Sequence, residues 1–539
     1  MNKLSWGSPE ALRELLLEVV GWESLTLSDG EKEFPIKLKA KLQTLKYFQN
    51  HPSHLELHPV NQGRSYLTAL YKHPNCSETI VLLSHFDTVS IEEYGDLRPY
   101  AYQPEALTKL LRERIEEFPK EVQTDLESGN YLFGRGTMDM KMGIIMHMSL
   151  IEKASVEKWP INLLLVTVPD EEVNSEGMRA AVKKLLEIRD EHALLYKLFL
   201  NGEPVFTKSQ EDQTHYVYSG SMGKIMPSAL FYGKETHVGE PLRGITANYI
   251  ASFLTQKMEW NKEFQETEMG ESTPLPVTLQ QKDLKKEYSV QTPYRASALY
   301  NVCLLKRNAA EIMDIFEETA TQAANACNQA YQRICHVEGV PPIGEVQVFR
   351  FEKLLEYAIS KFGEEQIQKL KTEINKREEW DDREKSLQMT DALMIQCQEL
   401  APAIVLFYSP PYYPSVNSSD SELIIKCLDF VKAQGLKKFN LPIEQIHYFN
   451  GICDLSYVNY QDNEEGWMTF VSNTPIWGES YSIPFDDMAK LQAPVLNIGP
   501  FGKDAHKRTE RLHMKNAFEE VPALVEDLMR MLFERVVED

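Results

Sequence analysis

Four short apolar runs in the chain are each followed by polar residues that can bind a metal ion or move a proton. The runs do not alternate with polar residues, and short unbroken runs of this kind are typical of buried parallel strands. Ligands of open α/β sheets bind beyond the carboxyl ends of such strands, so we expect the polar residues to meet at one edge of a sheet. The runs are residues 80–83 before His85 and Asp87, residues 163–168 before Asp170, Glu171 and Glu172, residues 198–200 before Glu203, and residues 495–498 before His506.

Residues 218–338 have a different pattern, in which strand-like and helical stretches alternate. This order predicts an inserted α+β domain with its helices on one face of a sheet. We therefore predict an α/β protein whose catalytic domain comprises residues 1–217 and 339–539, with a central, mostly parallel sheet and helices on both faces. Residues 345–400 are charged and helical, and we interpret them as a solvated elaboration of the catalytic domain. The stretches of the inserted domain are strand 224–232, helix 247–258, strand 297–305 and helix 310–335.

The amino-terminal residues and the composition narrow the class of protein. Ser8, Pro9 and Glu10 have the order of an N-cap and a first helical turn, and an acidic residue here does not suit a signal peptide. No apolar run approaches the ~18 residues that cross a bilayer. The seven cysteines are scattered and form no C-x-x-C pair, which favours a reducing compartment. The 57 basic and 80 acidic residues leave a formal charge of −23, which argues against a nucleic-acid partner. We predict a cytoplasmic protein with neither a nucleic-acid nor a membrane partner.

Two competing kinds of enzyme site are not favoured. Residues 134–139 (GRGTMD) begin like a dinucleotide-binding fingerprint, but its third glycine is missing and Asp139 stands where backbone should meet a pyrophosphate. Residues 219–223 (SGSMG) lack the Gly-x-Ser-x-Gly elbow of serine hydrolases. A single His-x-Asp or Glu-Glu pair is weak evidence of a metal site, and only the combination of these residues indicates one.

Taken together, these residues supply the donors of a two-metal site. Zinc prefers imidazole and carboxylate donors, and two zinc ions ~3.5–4 Å apart need terminal ligands and a bridging carboxylate. Asp87 stands two residues from His85, where it can accept the other ring N–H, and Glu171 remains beside Glu172 as a general base. A dication also relieves the mutual repulsion of the carboxylates. The predicted metal ligands are His85, Asp139, Glu172, Glu203 and His506.

Five blocks of the sequence closely resemble, in order, the signature of one superfamily of dinuclear zinc hydrolases. They are LLSHFDT, GRGTMDMKMG, VTVPDEEVNSEG, LNGEP and IGPFGKDAHKRTE. The superfamily contains aminoacylase, acetylornithine deacetylase, succinyl-diaminopimelate desuccinylase and carboxypeptidase G. The segment GKETHVGEPLRGITAN, residues 233–248, resembles its lid or dimerisation domain. The chain length and the extra helical region resemble the bacterial arginine-utilisation proteins.

The resemblance implies a role for each residue of the set. Glu171 is implied as the general acid/base and Asp87 as the partner of His85. In a homodimer formed through the lid domain, His237 is implied to reach the partner subunit's site and to stabilise the carbonyl oxyanion. The implied cofactors are two divalent metal ions per chain, zinc first, with cobalt or manganese as alternatives. The ligands implied for one ion, for the other and for the bridge are, in that order, His85 with Glu203, Glu172 with His506, and Asp139.

The implied reaction is hydrolysis of an amide bond in a small substrate, an N-acyl amino acid or a dipeptide, with an arginine-related compound as the narrower expectation. The sequence departs from the superfamily where the lid usually carries an Asp-x-Arg whose arginine holds the substrate carboxylate, because residues 302–304 (VCL) occupy that place. Arg243, Arg295, Arg508 and Arg511 are the alternative carboxylate ligands. A second function from a different class is a noncatalytic protein that keeps the fold and binds or senses a metabolite. Glu171 argues against it, since a pure binding cleft has no use for a general base.

Overall fold

The structure is a computed structural model that describes residues 4–208, 212 and 214–534. The chain divides into two compact units, each built from segments distant in sequence. The first contains the described residues up to 221, residues 416–460 and those from 484 onward, and the second contains residues 222–415 and 461–483.

The strands and helices are numbered in chain order. The strands are β1 Leu55–Pro59, β2 Ser65–Tyr71, β3 Glu78–His85, β4 Tyr131–Phe133, β5 Asn162–Val168, β6 Leu195–Asn201, β7 His215–Tyr218, β8 Gly220–Ser221, β9 Gly223–Ile225, β10 Pro227–Tyr232, β11 Thr267–Glu268, β12 Glu271–Ser272, β13 Val277–Asp283, β14 Arg295–Leu304, β15 Gln347–Arg350, β16 Ala403–Tyr408, β17 Val416–Asn417, β18 Ile443–Ile446, β19 Val495–Asn497, β20 Gly502–Lys503 and β21 Arg511–His513. The helices are α1 Pro9–Val20, α2 Asp29–Leu42, α3 Lys46–Asn50, α4 Pro104–Glu113, α5 Lys120–Ser128, α6 Met142–Glu157, α7 Glu176–Glu191, α8 Ala247–Met258, α9 Ala309–Glu338, α10 Phe351–Phe362, α11 Glu364–Asn375, α12 Asp382–Gln396, α13 Glu422–Phe439, α14 Glu464–Ser472, α15 Phe485–Met488 and α16 Val521–Glu534.

An eight-stranded mixed sheet forms the centre of the first unit, in the order β1-β2-β5-β3-β6-β19-β7-β18. The four apolar runs of the sequence form β5, β3, β6 and β19, which are neighbours and run parallel to one another. Every residue of β5 is buried, because helices cover both faces of the sheet. This arrangement confirms the predicted α/β class, and it brings the carboxyl ends of the four strands to one edge.

Two helices of the first unit illustrate how local sequence forms its elements. Ser8 caps α1, and its hydroxyl accepts a hydrogen bond from the amide of Ala11 at 3.2 Å. The apolar face of α1 is buried in the same core as α6. All but four of the sixteen residues of α6 are buried, so this helix is packed on all sides, as expected of a central helix.

The second unit contains a six-stranded sheet in which β13, β14, β10, β16 and β15 are consecutive neighbours and β9 also pairs with β14. Helix α8 has the predicted bounds, residues 247–258. The predicted strand 224–232 is interrupted at Met226, because β9 and β10 pair with different parts of β14. Helix α9 begins at a capping box formed by Asn308 and Glu311 and ends at Gly339, whose φ is +67°.

The structure moves the predicted boundary of the inserted domain from residue 338 to residue 415. Strand β16 lies beside β10, with Val405 opposite Leu230, so residues 339–415 belong to the second unit. The charged helices α10–α12 of this segment are not a solvated elaboration of the first unit. Their apolar faces are buried against β10 and β16 through Phe351, Leu354 and Leu393.

None of the helices in the described ranges combines the length and the apolar character needed to span a bilayer.

Candidate metal centre

Residues from five separate segments of the first unit converge at the carboxyl edge of its sheet. His85 ends β3, and Glu203 follows β6 by two residues. Glu171 and Glu172 lie in the loop between β5 and α7, and His506 lies between β20 and β21. Asp139 is contributed by a short turn before α6, in which the peptide bond from Asp139 to Met140 is cis.

The first group of donor atoms comprises His85, Asp139 and Glu203. The His85 Nε2 atom lies 3.3 Å from Asp139 Oδ1 and 3.4 Å from Glu203 Oε1. Candidate ligand atoms of the three residues all lie within 4.8 Å of one another, and all three residues are buried. These side chains therefore surround one small volume, from which bulk water is largely excluded.

The second group comprises Asp139, Glu172 and His506, and it shares Asp139 with the first. The His506 Nε2 atom lies 3.0 Å from Asp139 Oδ2 and 3.2 Å from Glu172 Oε2. Asp139 thus presents one carboxylate oxygen to each histidine. The His506 side chain is 50% exposed, so the second group lies on the more open side of the centre.

This donor set fits a pair of divalent metal ions. Two donors that each lie about 2.1 Å from a tetrahedral zinc ion are separated by about 3.4 Å, and the nitrogen–oxygen distances of 3.0–3.4 Å in both groups are close to that value. A carboxylate with one oxygen in each group is the bridge that a two-metal site requires. The residues present are therefore able to hold two ions, with Asp139 between them.

Asp87 supports the first group from the side of His85 that faces away from the other donors. It is fully buried, and its Oδ1 atom lies 3.4 Å from His85 Nδ1, the ring nitrogen that faces away from the donor cluster. Asp87 also accepts hydrogen bonds from the amides of Glu171 at 3.0 Å and Glu172 at 3.3 Å and from the Thr26 hydroxyl at 2.9 Å. One carboxylate thus orients both the imidazole and the loop that carries the two glutamates.

The crowded charges shift the pKa values across the centre. Burial disfavours the charged form of His85, but the carboxylates of Glu203 and Glu171 more than offset it, and the pKa of His85 is raised well above its usual value. The hydrogen bond with Asp139 and further carboxylate contacts raise the pKa of His506 to about 11. Burial raises the pKa of Glu171 well above its usual value. The cluster thus has an excess of negative charge, which favours the binding of cations.

His237 lies in the second unit and is exposed. Its Nδ1 atom accepts a hydrogen bond from the amide of Gly239 at 3.0 Å. The role implied for His237 in a partner subunit stays a prediction.

The arginines that the sequence offered as substitutes for the usual carboxylate ligand differ in their surroundings. Arg511 is fully buried and donates to Asp125 at 2.8 Å, so its charge is already neutralised within the first unit. Arg295 is paired with Asp391 at 2.7 Å within the second unit. Arg243 is 70% exposed, and the guanidinium of Arg508 lies 5.1 Å from the centre of the Phe118 ring. Arg511 and Arg295 are therefore held in structural ion pairs. Arg243 and Arg508 remain as the candidates for holding the substrate carboxylate.

Two charged residues near the centre were not predicted from the sequence. Arg64 is 2% exposed and is paired with Asp170, the residue before Glu171. Asp454 is 3% exposed, and burial raises its pKa to about 7. Burial is the largest cause of the raised pKa of Glu171, and the charge of Asp454 raises that pKa further. Neither residue lies in a metal-binding motif or directly after a predicted strand, so no local signal marks them.

The chain is similar to a known protein family and to two proteins of one bacterium. Residues 81–435 match the family model described as Peptidase family M20/M25/M40. YqjN of Bacillus subtilis (strain 168) is 42% identical over 528 residues, which covers 97% of this chain and 96% of that protein. RocB of the same organism is 29% identical over 543 residues, which covers 97% of this chain and 95% of that protein.

Among solved structures, the di-peptidase Dug1p from Saccharomyces cerevisiae has a TM-score of 0.55 at 9% identity, with 98% of each chain covered. At this level of identity the likeness shows a shared fold.

Proposed function

The chain belongs to peptidase family M20/M25/M40, and on that premise we propose that it hydrolyses an amide bond in a small substrate, an N-acyl amino acid or a dipeptide. Membership confirms the resemblance that the five sequence blocks indicated and makes the protein a metal-dependent hydrolase of amide bonds. The narrower proposal is an arginine-related substrate, which is supported by the resemblance in length and in the extra helices to the bacterial arginine-utilisation proteins.

We assign the metal ligands from the two groups of donors. His85 and Glu203 would hold one ion, Glu172 and His506 would hold the other, and Asp139 would supply a carboxylate oxygen to each. Imidazole and carboxylate donors favour zinc, with cobalt or manganese as alternatives. Two such ions would supply Lewis acidity for the amide carbonyl and for the attacking water. The observation that carries the proposal is the division of Asp139, with Oδ1 facing His85 and Oδ2 facing His506.

Glu171 moves the proton in the proposed reaction. Its Oε2 atom lies 3.8 Å from His85 Nε2, at the edge of the first group, and its side chain is 10% exposed. The carboxylate takes a proton from the attacking water as the carbon–oxygen bond forms, and it returns that proton to the departing amine nitrogen as the carbon–nitrogen bond breaks. Burial raises the pKa of the Glu171 carboxyl, and a higher pKa makes its carboxylate a stronger base toward the attacking water.

We further propose that the first unit is the catalytic domain and that the second serves as a lid and dimerisation domain, with His237 acting in the partner subunit. We also propose a cytoplasmic location. The location is supported by the seven cysteines, all of which are free and six of which are buried.

The test compares two neighbouring glutamates. Glu171→Gln should retain two metal ions per chain and lose most turnover, because the amide cannot carry the proton. Glu172→Gln should lose turnover and also bind less metal, because a ligand is removed. Metal content is measured by atomic emission, and hydrolysis is measured on a panel of N-acetyl, N-succinyl and dipeptide derivatives of arginine, ornithine and glutamate.

Equal turnover in Glu171→Gln and in the wild type would contradict the proposed mechanism. No hydrolysis of any panel member by metal-loaded wild-type protein would contradict the proposed substrate class.

A further inference from the structure

The loop that carries Glu171 and Glu172 has a backbone that needs support. Asp170 and Ser175 are not glycines, yet their φ angles are +68° and +47°, in the left-handed region that costs free energy for such residues. The Asp170 carbonyl accepts hydrogen bonds from the amides of Asn174 at 3.1 Å and Ser175 at 2.6 Å. The chain therefore folds back tightly between residues 170 and 176, and this conformation requires stabilising contacts from other parts of the chain.

Arg64, which precedes β2, connects the two ends of this loop. Its Nη1 atom lies 3.2 Å from Asp170 Oδ1, and its Nη2 atom donates to Glu176 Oε2. Asp170 in turn accepts from the amide of Glu176 through Oδ2 at 3.1 Å. The planar guanidinium thus bridges the first and last residues of the loop, which a single-point cation could not do in the same geometry.

Arg64 is itself held by its surroundings. Its Nε atom donates to the carbonyl of Asn61 at 3.3 Å, and the Asn61 amide donates to the second carboxylate oxygen of Glu176. Glu31 lies 3.8 Å from Nη1 and is fully buried. Arg64 is therefore the shared counterion of three carboxylates, those of Glu31, Asp170 and Glu176, in a region with little access to solvent.

The loop is also stabilised by Asp87, which accepts hydrogen bonds from the amides of Glu171 and Glu172. Asp87 contacts the middle of the loop, and Arg64 contacts its two ends. We expect the loss of either set of contacts to change the loop conformation and to move the side chains of Glu171 and Glu172 away from His85 and His506.

We infer that Arg64 is a positioning residue of the proposed reaction: its guanidinium joins Asp170 to Glu176 and so keeps the loop in the conformation that presents Glu171 and Glu172 to the metal centre. This inference rests on the proposed function for its effect on turnover. Its effect on metal binding is independent of the substrate, because Glu172 is assigned as a ligand.

The test uses Arg64→Lys, which keeps a positive charge but lacks the fork that spans the two carboxylates. We expect zinc affinity or kcat to fall by about 10–100-fold, the usual effect of losing an outer partner of a metal ligand, while KM stays unchanged because Arg64 does not meet the substrate. Zinc affinity is measured by competition with a chromophoric chelator, and kcat and KM with the best substrate of the panel. Lys153→Met is the matched control, since it removes a half-buried cation of the same unit that pairs with Glu526, and it should leave both properties at the wild-type level.

A second variant separates positioning from simple charge balance and serves if Arg64→Lys does not fold. Arg64→Met combined with Glu176→Gln removes one charge of each sign. The inference is supported if the double variant has the melting temperature of the wild type while its zinc affinity is weaker than that of the wild type. Recovery of both properties would show that Arg64 is only a counterion and would overturn it, as would wild-type zinc affinity and kcat in Arg64→Lys. If the wild-type protein hydrolyses nothing, the proposed function fails, and the zinc affinities still decide the role of Arg64.

Discussion

His147 should make the first unit sensitive to acid. It lies in α6, it is fully buried, and neither ring nitrogen has a hydrogen-bond partner among the described residues. Burial lowers its pKa from 6.5 to about 3. Below pH 6.5 the unfolded chain therefore takes up a proton that the folded chain excludes, so this residue favours unfolding increasingly as the pH falls toward 3.

The size of the effect follows from the two pKa values. A pH of 4.5 lies two units below the pKa of the imidazole in the unfolded chain, while the imidazole of the folded chain is still neutral. Protonation of the unfolded chain therefore lowers the free energy of unfolding by about 2.7 kcal/mol. For a unit of this size that corresponds to roughly 5 °C in melting temperature. Replacement by methionine, which has a similar volume and no titrating group, should remove this cost.

The assay is thermal unfolding between pH 7 and pH 4.5, followed by circular dichroism. The melting temperature of the wild type should fall by about 5 °C more than that of His147→Met, and groups that titrate in both proteins cancel in this difference. His336→Gln, at an exposed position of α9, controls for the loss of one histidine. Parallel curves for wild type and His147→Met would contradict this prediction and would mean that His147 finds a hydrogen-bond partner or a water molecule in solution.

Two further predictions concern the metal centre. Asp87→Asn should weaken zinc binding by about 10–100-fold, because the amide group cannot accept both the Glu171 and the Glu172 amides; competition with a chelator measures this, Thr26→Val should change it far less, and wild-type affinity in Asp87→Asn would contradict the assignment. Gly499→Ala should abolish zinc binding and lower the melting temperature, because the new Cβ would lie 2.0 Å from the carbonyl oxygen of Glu203, a backbone atom that cannot rotate away; normal metal content in this variant would show that the packing is looser than described.

Much of the first unit could be predicted from local sequence. The four apolar runs became four adjacent parallel strands, and the donors followed these strands directly, so that shared strand direction alone brought His85, Glu171, Glu172 and Glu203 to one edge. His506 was predicted from its place after the fourth run, although β20 lies between that run and His506. Asp139 lies in the turn before α6 and follows none of these strands. It was found because the combination of donors, and the resemblance of the block around it, required a bridging ligand.

The boundary of the second unit could not be predicted in the same way. Strand β16 pairs with β10 across about 170 residues of chain, and no pattern in either strand names its partner. The charge of helices α10–α12 concealed the apolar faces that they bury, because the charged residues are numerous and the buried ones are spaced between them. The prediction of a solvated elaboration was therefore wrong.

The fold class, the parallel core of the first unit and the candidate donors could be predicted from the sequence, since each depends on residue type and on spacing within a few turns or one strand. The division of the donors into two groups around Asp139, and the charges that support them, depend on the tertiary structure. Arg64, just before β2, pairs with Asp170, and Asp454, about 390 residues later, raises the pKa of the neighbouring Glu171. Contacts over such separations depend on how whole elements pack, and local pattern does not encode them.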